Sequence, residues 1–327
     1  MTTPQAPEHS QAEACARPEP LVGELLQGLR AKPKTVSPSW FYDARGSELF
    51  DAICELPEYY LTRTEAAILE THAEDIARCI GEDAMLVEFG SGASAKTRIL
   101  LDHLPRLQAY VPVEISRTHL QAASLRIARA YPDLEVLPVC ADFTLPFDLP
   151  RPKRSPSRTV VFFPGSTIGN FDPPAAMELM RLMHGIVGDD GGLVIGTDLV
   201  KDLPTLLRAY NDSAGVTAEF NLNLLRRLNR ELGADFDPGG FAHQAVWNGS
   251  DSRIEMHLVS LRDQVVTLCG ERIAFRRDER MITEHSHKYT FAGFQGHAAA
   301  AGWVEKQVWL DDRRYFAVHY LEARAPA

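Results

Sequence analysis

A chain of 327 residues exceeds one ordinary domain of roughly 100–200 residues, so two domains, or one domain with a large insertion, are expected. Its 45% hydrophobic and 24% charged residues are ordinary globular values, and no apolar run reaches the roughly 18 residues of a membrane-spanning helix. The formal charge of −10 opposes nonspecific binding to nucleic acid, which relies on basic surface to displace counterions from phosphate, so neither nucleic acid nor membrane is an expected partner.

Residues 1–20 are polar and rich in proline and alanine, lack the basic-then-apolar pattern of an export signal, and are expected to form a disordered tail. The five cysteines, Cys15, Cys54, Cys79, Cys140 and Cys269, are odd in number and include no CxxC pair. They predict reduced thiols in a cytoplasmic chain rather than a disulfide framework or a zinc site.

Residues 21–31 and 65–80 place apolar side chains at helical spacing, and 34–62 between them is rich in aromatic and turn residues, so this early region is predicted to be mostly helical. Met85–Phe89 is a short apolar run ending in glycines, and 95–104 returns to helical spacing, which reads as strand, turn, helix. Further strands are predicted at Ala109–Ile115, Leu134–Val139, Thr159–Phe163 and Gly192–Thr197, each followed by enough chain to cross over. Such alternation implies a parallel sheet with helices on both faces. Helices near 203–211 and 217–232 and extended runs at 254–261, 264–268 and 272–276 then suggest a second lobe, shared with part of 21–62. In 304–324, two β-rich runs joined by Asp311-Asp312-Arg313 predict an antiparallel hairpin. A dinucleotide dehydrogenase sheet finishes on parallel strands; a terminal hairpin looks like the methyltransferase variant of that architecture.

The segment LVEFGSG sets Glu88, Gly90 and Gly92 directly after a strand and before the helix that carries Lys96. Glycine permits a tight turn and lets a ligand approach the main chain closely. A GxG alone fits a plain strand-to-helix turn or a nicotinamide cofactor equally well. Here no third glycine completes GxGxxG, and acids end three successive strands: Glu88, Glu114 in VPVEIS and Asp142 in VCADF. Glu114 can accept from both hydroxyls of a ribose and Asp142 from an adenine amino group, with Phe143 beside the adenine face. A negative rim suits the cationic, phosphate-free cofactor S-adenosylmethionine better than a dinucleotide.

The segments FYDARGSELFDAICELPEYYLTRTE, EFGSGASAKTRILL, VPVEIS, ADF, FFPGSTIGNF, RAYND, IEMHL and TEHSHKY, in that order and over nearly the whole chain, resemble the histidine Nα-methyltransferases of ergothioneine biosynthesis. The resemblance implies an α/β fold: a Rossmann-like class I methyltransferase sheet with a terminal antiparallel hairpin, plus a second, smaller α+β substrate-binding domain. The second domain is expected at 21–62 and 201–286, and the methyltransferase domain at 63–200 and 287–327. It implies further that Gly90, Lys96, Glu114, Asp142 and Phe143 contact S-adenosylmethionine, that Tyr42, Tyr60, Asn170, Tyr210, Met256, Glu284 and Ser286 surround L-histidine, and that three successive methylations give trimethylhistidine. Glu114 stands where an aspartate is familiar in the actinobacterial members, and His285 and His287 flank Ser286 where less polar residues are familiar.

Methyl transfer from a sulfonium needs an unprotonated amine aimed along the breaking bond at about 3–3.5 Å. Asn170 can offer the amine an acceptor and the substrate carboxylate a donor at once, Tyr42 is a second partner for the amine, and Tyr210 would bind the carboxylate. In an extended segment alternate side chains share a face, which puts Glu284, Ser286 and Lys288 together and His285, His287 and Tyr289 opposite. Glu284 would accept from one imidazole N–H while Ser286 serves the other nitrogen, and Tyr60 would cover the same pocket. Two histidines and a carboxylate can also ligate zinc or iron, but no HExxH spacing exists and His243 and His257 lie far off in sequence, so no metal is expected. The first alternative is a methyltransferase acting on another amino acid or small amine. The rival classes are a nicotinamide oxidoreductase, disfavoured by the glycine pattern and the hairpin, and a cofactor-binding protein without turnover, disfavoured by polar residues at both substrate ends. The expected partner is a small molecule, L-histidine or its mono- and dimethylated forms, bound by a monomer.

Overall fold

The computed structural model describes residues 19–92 and 95–324; the expected disordered tail lies outside the described residues, except that Glu19 already begins a helix running to Arg30. The large sheet has strands in the order 303–310, 316–323, 192–198, 159–163, 85–89 and 109–114, with two short strands on its far edge. Strands 85–89, 109–114, 159–163 and 192–198 pair parallel, whereas 316–323 runs antiparallel to both 192–198 and 303–310, giving the terminal hairpin. Asp311 holds that hairpin's turn by accepting from the backbone N–H groups of Arg313, Tyr315 and Phe316.

Side chains alternate between two apolar layers. Leu86, Tyr110, Val160, Phe162, Val194 and Tyr320 pack under the helix Tyr60–Ile80. Val87, Val111, Val161, Phe163, Ile195 and Leu321 pack against the helices Pro173–Val187 and Phe291–Ala300. A central strand buried on both faces explains why Met85–Phe89 is an unbroken apolar run apart from Glu88. Strand 85–89 has a parallel neighbour on each side, 109–114 and 159–163, with chain crossing to opposite directions. That is a topological switch point, and the crevice beyond its carboxyl end is where open α/β sheets bind ligands.

The predicted strand Leu134–Val139 is two fragments, Glu135–Val136 and Val139–Cys140, each paired with 109–114. Pro138 has no N–H to give to the ladder, so pairing breaks there.

A second sheet, in the order 34–35, 280–287, 253–260, 241–248, stands at the crevice end, with the helices Ala44–Cys54, Leu203–Tyr210 and Val216–Leu232 and the hairpin 264–268/271–275. The expected domain borders fall within elements: 62/63 lies inside the helix Tyr60–Ile80 and 286/287 inside the strand Arg280–His287. That strand continues to the large sheet, where Tyr289 donates its N–H to the Asp198 carbonyl at 2.9 Å and bridges to Leu199. Residue 288 is therefore carried to the carboxyl end of strand 192–198.

Candidate active site

Gly90 begins the turn after the central strand at φ +72, and a Cβ there would stand 3.7 Å from the Phe143 ring. That distance is an ordinary contact, so it is the left-handed conformation, disfavoured for an L side chain, that favours glycine at this turn. Phe143 is half-buried, stacked on Phe89 at 5.4 Å and edge-on to Phe163 at 5.7 Å. Glu114 ends its strand beside Cys140, and Asp142 follows two residues later, so both acids stand on the rim next to Gly90. One Asp142 oxygen accepts from the backbone N–H and hydroxyl of Thr144 at 2.9 and 2.6 Å. Burial raises the Glu114 carboxyl above its usual range, with the Ser116 N–H pulling the other way.

Glu88 does not join that rim. It is buried and accepts from Thr97 at 2.8 and 2.7 Å and from Tyr110, and burial pushes it up to about 7. The third acid expected at the crevice thus ties the strand to the following helix. Lys96 forms an ion pair with Glu65, a fully buried carboxylate that also accepts from the Gly165 N–H at 2.8 Å. Glu65 therefore joins the helix 60–80, the Lys96 helix and the 164–170 loop. Nothing in the local pattern marked it, because an acid within a helix reads as solvated.

The loop that carries Asn170 is pinned from two sides. Ser166 adopts a left-handed conformation, φ +56, and its hydroxyl accepts from the Asp198 N–H at 2.8 Å; such a conformation costs about 1 kcal/mol or more in a non-glycine residue. A Cβ on Gly169 would lie 2.8 Å from the His287 carbonyl oxygen, so the 3-10 turn Thr167–Asn170 can lie this close to strand 280–287 only with glycine there.

Glu284 pairs across the sheet with Met256, after an irregularity at Thr283. It lies half-buried in the cleft, and burial pushes its carboxyl up to about 7 against the opposing pull of Lys288. Tyr42 feels Glu284 and, more weakly, Glu114; burial first and Glu284 second raise its hydroxyl far above the ordinary tyrosine range. Tyr42, packed edge-on to Phe50 and Phe220, thus keeps its proton at neutral pH.

Ser286, Tyr210 and Lys288 form one buried group. The Tyr210 and Ser286 hydroxyls are 2.8 Å apart, and Lys288 Nζ donates to them at 2.9 and 2.8 Å and to Asp198 at 2.8 Å. The two hydroxyls expected at opposite ends of a substrate therefore share one wall, because a buried ammonium needs acceptors for its three protons.

Tyr60 points elsewhere. Its hydroxyl donates to Asp198 at 2.7 Å and accepts from Lys201 at 2.6 Å, and its ring packs on Tyr315. Tyr59, its neighbour, meets Tyr210 edge-on at 6.0 Å and feels the charge of Glu284. In ELPEYYLTRTE the residue facing the pocket is the first tyrosine, since the second already lies in the helix and is turned towards the large sheet.

His285 and His287 occupy the opposite face of the strand, 3.2 and 3.5 Å from Asp172, which also pairs with Arg253 at 2.8 Å. Burial lowers both imidazoles, His287 to about 4, so they are neutral at pH 7.

A crevice ringed by Gly90, Glu114 and Asp142 beside a polar pocket on a second sheet calls for comparison with known proteins. Residues 21–323 match the family model described as histidine-specific methyltransferase, SAM-dependent. The chain belongs to this family. It is 42% identical to the histidine N-alpha-methyltransferase of Mycolicibacterium smegmatis over 92% of both chains, and 42% identical to that of Mycobacterium tuberculosis over 90% of this chain and 92% of the other. It also resembles ergothioneine biosynthesis protein 1 of Neurospora crassa, at 29% identity over 91% of this chain and 34% of that longer one. The enzyme is an S-adenosylmethionine-dependent methyltransferase acting on a small molecule. The open glycine turn, the flanking phenylalanine and the two rim acids fit that cofactor, and among the described residues no helix is long and apolar enough to cross a membrane.

Proposed function

We propose that this enzyme methylates the α-amino group of free L-histidine, up to trimethylhistidine (hercynine), as the first step of ergothioneine biosynthesis. The observation that carries the reading is a carboxylate and a hydroxyl, Glu284 and Ser286, on one strand face in a cleft that also holds Met256, Tyr59 and Tyr210. Glu284 accepts from one imidazole N–H and Ser286 donates to the other nitrogen. A site built around such paired groups rejects an apolar analogue by roughly 10⁴-fold, because its own polar atoms would be left unpaired. With Tyr210 only 2.8 Å from Ser286, histidine is held folded, its ring nitrogen and carboxylate on the same side. Four free cysteines among the described residues accord with a reducing, cytoplasmic setting.

Bound S-adenosylmethionine supplies an electrophilic methyl group on a sulfonium. Glu114 and Asp142 would hold its ribose and adenine, with Phe143 beside the base, and Lys96, fixed by Glu65, would contact it from the helix after the glycine turn. Asn170 presents its amide oxygen to the amine and its amide N–H to the histidine carboxylate. Tyr42, held protonated by burial, guides the amine as a hydrogen-bond partner and does not act as a tyrosinate base. Purified protein incubated with S-adenosylmethionine and each of the twenty amino acids is expected to add up to three methyl groups to histidine alone, read by product mass. A mass gain on another amino acid with histidine untouched overturns the assignment of Glu284 and Ser286.

A further inference from the structure

The side chain of Lys288 has no solvent exposure, and the same holds for Asp198, with which it is paired. Burial alone would lower the ammonium's pKa, but Asp198 and Tyr210 outweigh it and the pKa is raised, so the positive charge stays. Its three protons are all placed, on Asp198, Tyr210 and Ser286. Each hydroxyl therefore gives one lone pair to Lys288, and neither can turn its own proton that way. At 2.8 Å one of the two donates to the other, which leaves the second proton to point into the pocket, and an acceptor there can draw both. Lys201 places a second amine on Asp198 at 2.5 Å, and although burial lowers its pKa to about 8 it stays mostly charged at pH 7, so two cations share one carboxylate behind the pocket wall. The excess positive charge suits a substrate that brings its acceptors, not its donors, to this wall.

We propose that Lys288 is a specificity-determining positioning residue: by taking one lone pair of Ser286 and one of Tyr210 it biases both hydroxyls towards donating, so the pocket selects an amino acid presenting a ring acceptor nitrogen beside its carboxylate. This rests on the reading of Glu284 and Ser286 as the imidazole site. Glu284, on the same face, takes the ring's donor, so Lys288 and Glu284 together impose one donor–acceptor order on the ring and the neutral imidazole is the form bound. A lysine holding the wall together structurally would weaken all substrates alike; a lysine setting donor direction weakens only those with the acceptor.

The test compares kcat/KM for histidine with that for the two pyrrolylalanines, which keep one ring N–H and replace the acceptor nitrogen by C–H. In the wild type the ratio is expected to be large; in Lys288→Met it falls by about tenfold or more, with S-adenosylmethionine affinity by calorimetry unchanged. Lys288→Gln, whose amide donates as well as accepts, is expected to fall between, and it supplies the same readout should Lys288→Met fail to fold. Variant ratios equal to the wild-type ratio, with the wild type active on histidine, overturn the proposal alone. A wild-type enzyme that leaves histidine unmethylated overturns the substrate reading and this proposal with it.

Discussion

The proposed cofactor crevice would draw its residues from neighbouring strand ends, Gly90, Glu114 and Asp142, and the polar groups there have few protein partners, mainly nearby backbone and Thr144. The proposed substrate pocket would draw on Tyr42, Tyr59, Asn170, Tyr210, Met256, Glu284 and Ser286, from segments spread over most of the chain, and behind Tyr210 and Ser286 lies an unexposed set of charges centred on Asp198. Waiting groups on a rim can be altered with loss of binding only. Buried paired charges cannot, since removing one partner strands the other in a medium that solvates it poorly.

The largest test of this contrast is Asp198→Ala, which leaves Lys288 and Lys201 without their shared carboxylate. It is expected to lower stability by about 3–5 kcal/mol in urea unfolding, and a loss below about 1 kcal/mol would show the network to be dispensable. Next comes Glu284→Gln, expected to weaken histidine binding by roughly 10- to 100-fold in calorimetry with cofactor affinity retained. Because burial holds Glu284 up to about 7, its ionised form, the stronger acceptor, is lost as pH falls through that value. The ratio of wild-type to Glu284→Gln affinity should therefore shrink from pH 8 to pH 6; a ratio constant over that range argues against an ionised Glu284 at the ring. On the rim, Glu114→Gln should weaken S-adenosylmethionine by about tenfold while leaving the melting temperature in place. The smallest effects separate the adjacent tyrosines. Tyr60→Phe should cost about 1 kcal/mol of stability with little change in histidine KM, and Tyr59→Phe should raise histidine KM several-fold with little change in stability. The reverse pattern would return Tyr60 to the pocket.

Much of the frame was legible beforehand. Strands 85–89 and 159–163 match their apolar runs residue for residue, since burial on both faces leaves little choice of residue, and the terminal hairpin is marked by its polar turn. Strand 241–248, FAHQAVWN, carried no clean alternation because its exposure is mixed along its length, and the two-residue pairing of Lys34 and Thr35 with 281–282 is too short to carry a period. At the crevice, the places of Glu114, Asp142 and Phe143 at or just after strand ends were readable. Glu88 was misplaced because the direction of a strand-end side chain depends on which layer it enters, and here Thr97 and Tyr110 offered it donors inside.

Periodicity and residue chemistry suffice for the parallel sheet, the glycine turn and the acids beside it, because these depend on interactions within or between adjacent elements. Which tyrosine of a pair faces the pocket, and that Lys288 and Asp198 meet without solvent, follow only from how the second sheet lands on the first. A charge's worth is set by the dielectric and partners around it, and those come from segments remote in the chain.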